Sequence, residues 1–518
     1  MWVRFRCSFQ RFGWSVLTNQ RCLCSSGSEI QSPLNYVDGE RINPTNRNEP
    51  ERFDLFAPAT GELLGHIVSS SPEDVDTAVK NSENAFKKWS SLSGSERGKV
   101  LLQTAHIIRD QAEELSHVEV LNTGKPIWEA RVDILGCADA VEYYGGIAAT
   151  IAGQHIQLPN GSFAYTRREP LGVVGAIGAW NYPFQMAAWK SAPALACGNT
   201  MVFKPSPLTP LTAIMLGEIY TQAGLPDGCF NVIQGQANTG TCLSQYPGIN
   251  KMTFTGSVPT GSKVMEACAQ GIKPVTLELG GKSPLIVFAD CDVENAVNGA
   301  MLANFLTQGQ VCSNGTRVFV EEPILDQFLT LLVEKTKKLK IGDPWSDDTA
   351  VGAMISREHA EKVLGYVQLA KSEGATVLYG GDRVTLKDPK FSEGYFLRPC
   401  ILSGCHDNMR VVQEEIFGSV VSVLSFDCED EVVKRANDTE FGLAGGVFTR
   451  DIQRAHRVAA QLQAGTIYIN NYNVFPVEVP FGGYKKSGLG RENGTVTLDY
   501  YTQVKSVYVE MNKVVSPW

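Results

Sequence analysis

Cys312 lies in Gly309-Gln310-Val311-Cys312-Ser313-Asn314-Gly315, between a stretch with helical apolar spacing and a run rich in β-branched residues. A polar, glycine-flanked turn keeps a thiol accessible and able to ionise, as nucleophilic catalysis requires. The chain has 13 cysteines, and the bland reading of any one is a small apolar filler. Glu278 stands in Val275-Thr276-Leu277-Glu278-Leu279-Gly280-Gly281-Lys282-Ser283-Pro284. Burial in such an apolar run raises a carboxylate pKa toward the range of a general base. The competing reading is a structural ion pair with Lys282 or another cation. Asn181, in Trp180-Asn181-Tyr182-Pro183-Phe184, has an amide that can donate to a developing oxyanion, or that can simply shape a turn before proline.

Two further segments suit a nucleotide. Phe203-Lys204-Pro205-Ser206 ends an apolar run, and Lys204 can hydrogen-bond a ribose. Phe254-Thr255-Gly256-Ser257-Val258-Pro259-Thr260-Gly261 reads as strand, glycine turn and helix start, where backbone N–H groups suit a pyrophosphate. The continuation Ser262-Lys263 departs from a P-loop, which needs lysine directly after the second glycine. A nucleoside triphosphatase is therefore rejected. The G-x-G-x-x-G fingerprint does not occur at this turn, so a standard Rossmann turn is not indicated.

These groups need a scaffold. Apolar or β-branched runs predict strands over 172–178, 200–204, 230–233, 251–255, 275–279, 284–288 and 316–320. Helices are predicted from Ser71, from about 95 to 115, and over 209–223, 293–306 and 324–339. Ser71-Pro72-Glu73-Asp74 is a strong helix start: N-cap, proline at N1, then acids. Strands alternating with helices predict parallel sheets with helical crossovers, an α/β protein. Residues 161–166, leading into Arg167-Arg168, suggest a hairpin arm, and 504–509 a C-terminal strand. Arms of this kind add strands to a neighbouring subunit, so an oligomer is expected.

The chain's 518 residues allow two or three packed domains. A formal charge of −9 argues against nucleic acid or an anionic membrane as partner. No apolar run reaches the roughly 18 residues of a membrane span. The cysteines form no CxxC pair and no Cys/His cluster, so neither a disulfide framework nor a structural metal is expected. The first 28 residues hold Arg4, Arg6, Arg11 and Arg21 with no acid before Glu29. Two readings stand for them: a mitochondrial presequence, and a short tail without an address.

Seven motifs in order carry a resemblance to the aldehyde dehydrogenase superfamily. They are Trp180-Asn181, Phe203-Lys204-Pro205-Ser206, Phe254-Thr255-Gly256-Ser257, Leu277-Glu278-Leu279-Gly280-Gly281-Lys282, Gly309-Gln310-Val311-Cys312, Glu414-Glu415-Ile416-Phe417-Gly418 and Pro480-Phe481-Gly482-Gly483. The match runs from about residue 34 to the C-terminus. It implies an α/β fold with a Rossmann-like NAD-binding domain (34–147 and 171–280), an α/β catalytic domain (281–495) and a small β oligomerisation arm (148–170 and 496–518). Residues 1–33 are then an N-terminal extension. The resemblance implies Cys312 as nucleophile, Asn181 and the Cys312 N–H as oxyanion donors, and Glu278 as the base that activates water. It implies NAD as cofactor, held by Trp180, Lys204, Gly256, Ser257, Thr260, Glu415 and Phe417.

Some positions depart from the family pattern. NAD-preferring relatives often carry a glutamate where this chain has Pro207, which leaves NADP open. Thr307 stands where asparagine is common, and Ser419 where proline is usual. Within the superfamily the chain most resembles the branch acting on betaine aldehyde, trimethylammonium and amino aldehydes. That branch implies a homotetramer, and a cytosolic one, against the presequence reading. A trimethylammonium group donates no N–H and needs aromatic faces or a carboxylate. Tyr182, Trp189, Phe475 and Phe481, with Glu478 nearby, are the residues expected to hold it. A general aldehyde dehydrogenase, a CoA-acylating relative and a non-catalytic relative stay open as alternatives. CoA transfer would leave Glu278 without a task.

Overall fold

The computed structural model describes residues 35–45 and 51–518. The arginine-rich stretch read as a presequence or tail lies outside the described residues.

Two sheets organise the chain. The first has the order Glu40–Ile42, Asn35–Val37, Phe230–Val232, Thr200–Lys204, Val173–Ile177, Lys251–Thr255, Val275–Glu278, Gly488–Leu489. Its five inner strands, from Phe230–Val232 to Val275–Glu278, run parallel. Val173–Ile177 and Thr200–Lys204 are buried at every residue, as strands covered by helices on both faces must be. The chain winds outward from Val173–Ile177 first one way, through Thr200–Lys204, and then the other, through Lys251–Thr255. The strand order therefore reverses between Val173–Ile177 and Lys251–Thr255, and ligands of open α/β sheets bind at the strand C-termini beside such a reversal.

The second sheet has the order Thr376–Tyr379, Cys400–Ser403, Val420–Phe426, Arg317–Glu321, Pro284–Val287, Ala444–Phe448, Thr466–Ile469, parallel except at its first strand. A third, three-stranded sheet sets Phe163–Pro170 between Thr502–Val509 and His155–Gln157. It pairs Thr502 with Pro170 through to Val509 with Phe163, and leaves Val504 and Tyr508 60% and 75% exposed.

Local chemistry explains the main boundaries. The Ser71 hydroxyl accepts from the Asp74 N–H, and the Asp74 carboxylate accepts from the Ser71 N–H at 2.8 Å, a capping box that starts Pro72–Trp89. Trp89, fully buried, donates its indole N–H to the Leu195 carbonyl at 3.1 Å, fixing this helix to the helix Pro183–Ala196. Two expectations are corrected. The single helix read over 95–115 is two, Gly94–Asp110 and Ala112–Thr123, broken where Gln111 leaves helical geometry (φ −100°, ψ 11°). Gly488–Leu489, expected inside the second α/β unit, returns to the first sheet and pairs with Leu277 and Glu278.

Candidate active site

The C-terminal ends of the first sheet's parallel strands, and loops that lead into strands of the second sheet, open onto one cavity of about 1270 Å³. Every candidate site residue read from the sequence lines it except Glu478. Glu478 is exposed, and its charge acts on Tyr143 outside the cavity. The cavity's walls also include groups the sequence reading missed: Trp128, Asp133 and His359.

Cys312 is half-buried after a strained turn. Thr307, Gln308 and Gly309 are all left-handed, with φ of 49°, 55° and 73°. Glycine is required at 309, where a Cβ would sit 2.2 Å from the Gly418 carbonyl carbon. The Thr307 N–H and hydroxyl donate to the Glu129 carboxylate at 2.9 and 2.8 Å. Asn181 donates one amide N–H to the Gln310 carbonyl at 2.8 Å, which leaves its second N–H for the cavity. Burial pushes the Cys312 thiol up to about 12, and the nearby Glu415 and Glu278 carboxylates add to the rise.

Glu278 ends the strand Val275–Glu278 and is 4% exposed. Neither carboxylate oxygen has a hydrogen-bond partner among the described residues, so the ion pair with Lys282 does not form. Burial first, then the Glu492 carboxylate, hold its pKa well above the usual range, against the opposing charges of Lys190 and Arg491. Glu492 is itself paired with the fully buried Lys190, which also donates to the Thr255 hydroxyl at 2.7 Å.

The glycines after Glu278 have separate tasks. A Cβ on Gly280 would lie 2.2 Å from the Glu415 carboxylate, and one on Gly281 2.7 Å from the Cys312 carbonyl oxygen. The pair thus lets Glu415 and the Cys312 loop approach from either side. At Gly482 a Cβ would lie 2.8 Å from Glu278 Oε1.

A dinucleotide suits the other half of the cavity. The helix Val258–Ala269 starts at Gly256-Ser257 with no side chain capping its first N–H groups, an anion-accepting end. Lys204 donates to the Pro205 and Gly235 carbonyls at 2.8 and 2.7 Å, and burial lowers its ammonium to about 8. Glu415 accepts from the Gly281 N–H at 3.2 Å, and burial raises it to about 7. An ammonium, an open helix start and a carboxylate able to take ribose hydroxyls make a fitting donor and acceptor set. Pro207 also lines this region, with no carboxylate in place of the glutamate expected of NAD-preferring relatives. No helix of the described residues is long and apolar enough to cross a membrane.

The opposite half is aromatic. Phe475 meets Phe481 edge-on at 5.5 Å, and Phe481 meets Trp189 at 6.2 Å. Tyr182 bonds the Thr307 hydroxyl at 2.8 Å and lies under the Lys125 ammonium, 4.0 Å from the ring centre. Lys125 pairs with Asp133 at 2.6 Å.

The chain is similar to known proteins over most of its length. The family model "Aldehyde dehydrogenase family" matches residues 45–507. The chain is 61% identical over 487 residues to 4-trimethylaminobutyraldehyde dehydrogenase of Homo sapiens, covering 94% of this chain and 98% of that protein. It is 60% identical over 489 residues to 4-trimethylaminobutyraldehyde dehydrogenase A of Danio rerio, covering 94% and 96%. Among solved structures, betaine aldehyde dehydrogenase of Staphylococcus aureus in complex with NAD+ superposes with a TM-score of 0.90 at 37% identity, covering 94% of this chain and 97% of that one. The NAD+ complex of an aldehyde dehydrogenase from Bacillus cereus gives 0.90 at 40% identity, covering 93% and 98%.

Proposed function

This chain belongs to the aldehyde dehydrogenase family, and from that premise we propose that it oxidises 4-trimethylaminobutyraldehyde to 4-trimethylaminobutyrate (γ-butyrobetaine, a carnitine precursor) with NAD. Betaine aldehyde and aminoaldehydes are further substrates. One observation carries this reading: a thiol, a desolvated carboxylate, a dinucleotide-type donor set and an aromatic wall share one cavity.

The Cys312 sulfur attacks the aldehyde carbon, and its proton leaves toward Glu278. The free Asn181 N–H and the Cys312 backbone N–H meet the oxyanion, worth about 2.7–4 kcal/mol for one such donor. NAD, when bound, accepts the hydride that leaves the thiohemiacetal carbon. Glu278, after passing that first proton to solvent, takes a second from the water that hydrolyses the Cys312 thioester, and its raised pKa matches that task. A carboxylate so placed favours hydrolysis over transfer to CoA.

Trp128, Tyr182, Trp189, Phe475 and Phe481 receive the trimethylammonium group, and Asp133 adds negative potential that its ion pair with Lys125 partly offsets. Glu478, exposed and away from the cavity wall, is replaced by Asp133 in this role. Lys204, Gly256, Ser257, Thr260, Glu415, Trp180 and Phe417 hold the cofactor. NADP is a weaker second cofactor, admitted by Pro207. The exposed three-stranded sheet joins subunits into a homotetramer of the cytosol, and the two large sheets organise the cofactor and catalytic domains.

The test compares 4-trimethylaminobutyraldehyde with its uncharged carbon isostere, 5,5-dimethylhexanal, in wild type and Asp133→Asn. A kcat/KM preference for the cation that shrinks in the variant supports the substrate class. Equal values for both aldehydes in wild type reduce the protein to a general aldehyde dehydrogenase.

A further inference from the structure

Phe417 has φ of 64°, a left-handed backbone that a bulky residue adopts only when its surroundings enforce it. The enforcing contact comes from another element. His359, in the first turn of the helix Arg357–Ser372, directs Nε2 to the Phe417 carbonyl at 2.7 Å. A carbonyl only accepts, so Nε2 carries the hydrogen. The His359 backbone N–H is itself held by the Ser356 hydroxyl at 3.2 Å, the N-cap of that helix.

Three rings converge at this point. Trp180 meets Phe417 edge-on at 5.1 Å and 89°, and His359 packs against Trp180 at 5.2 Å and 68°. All three line the cavity beside Glu415. Burial lowers the His359 pKa to about 4, so the ring is neutral at physiological pH and offers no positive charge to a phosphate. Among the described residues, the ring's one hydrogen bond is the tether to Phe417.

We propose that His359 is a positioning residue of the dinucleotide site: its Nε2–H ties the Phe417 carbonyl, and through it holds the Phe417 and Trp180 rings where the cofactor binds. The inference rests on the dinucleotide reading of the cavity. It differs from that reading in assigning a determinant of affinity to a neutral side chain that acts through Phe417.

The experiment measures the NAD dissociation constant of the full chain by calorimetry for wild type, His359→Phe and His359→Gln. Phenylalanine keeps an aromatic ring without the donor; glutamine keeps a donor at similar reach. Hydrolysis of an activated ester, p-nitrophenyl acetate, reports the Cys312 loop without any cofactor. His359→Phe is expected to weaken NAD about tenfold, the worth of one buried hydrogen bond, with ester hydrolysis kept. His359→Gln should recover most of the affinity. In a Phe417→Gly background, where glycine adopts the positive φ unaided, His359→Phe should cost no further affinity. Wild-type affinity in His359→Phe overturns the inference, as does joint loss of NAD binding and ester hydrolysis in both His359 variants. A wild-type chain that does not bind NAD would instead overturn the dinucleotide reading itself.

Discussion

The carboxylate of Glu129, 3% exposed, accepts from both the N–H and the hydroxyl of Thr307, at 2.9 and 2.8 Å. Thr307 gives its only hydroxyl hydrogen to Glu129, so Tyr182 must be the donor in their 2.8 Å contact. This bond set holds a β-branched residue left-handed, a conformation that costs about 1–2 kcal/mol by itself. The turn that presents Cys312 is thus fastened from the helix Ile127–Ile147 rather than from its own sheet.

Thr307→Val keeps the shape and removes the hydroxyl, leaving Tyr182 and Glu129 each short of a partner. The expected result is a kcat about tenfold lower, with NAD affinity unchanged, because the lost bonds orient the nucleophile's turn and not the cofactor groups. Steady-state kinetics with a calorimetric NAD titration checks it. An unchanged kcat would mean that the strained turn is held without the Thr307 hydroxyl.

Gly280→Ala and Gly281→Ala should fail in different ways. The first drives a methyl into Glu415, and the second drives one into the Cys312 carbonyl. The Cys312 carbonyl is backbone and cannot move far, so Gly281→Ala costs about 1–3 kcal/mol, whereas Glu415 swings away at the end of its side chain and Gly280→Ala mainly displaces that carboxylate. Gly280→Ala should raise the NAD dissociation constant and spare ester hydrolysis, whereas Gly281→Ala should do the reverse. Identical losses from both variants would show that the two glycines serve general packing.

The pH dependence of Cys312 has a definite sign. Its pKa is about 12, and the thiolate is the reactive form, so alkylation of the cofactor-free protein by iodoacetamide should rise about tenfold per pH unit from pH 7 to pH 9 without a plateau. Glu415 is charged above about 7 and opposes thiolate formation. Glu415→Gln should therefore speed alkylation above that pH and change little below it. A plateau below pH 8 in wild type, or slower alkylation in the variant, would contradict this electrostatic account.

Much of this site was legible because its chemistry is local in sequence. The strand ending in Glu278 is an apolar run that only one carboxylate interrupts, and the glycines beside it mark close backbone approaches. The fully buried parallel strands read as apolar runs for the same reason. What escaped depends on tertiary packing. Glu129 and Asp133 are four residues apart on one helix, a spacing that reads as a solvated charged face, and only packing against Thr307 and Lys125 turns it inward. His359 sits in an ordinary polar first helical turn, and nothing in its neighbours marks a tether to a residue 58 positions away. Glu478 was placed by its position among Phe475 and Phe481, but the backbone around it carries the carboxylate outward. The break at Gln111 lies between two stretches of good helix formers, so propensity does not mark it.

The most direct test of the central claim is NADH formation from 4-trimethylaminobutyraldehyde by wild type, Cys312→Ala and Glu278→Gln, with acid-quenched samples analysed by mass spectrometry. The account predicts steady NADH production by wild type, none by Cys312→Ala, and in Glu278→Gln a single burst with an acyl adduct on Cys312. Wild-type rates in Cys312→Ala, or a Glu278→Gln protein that turns over fully with no adduct, would contradict it.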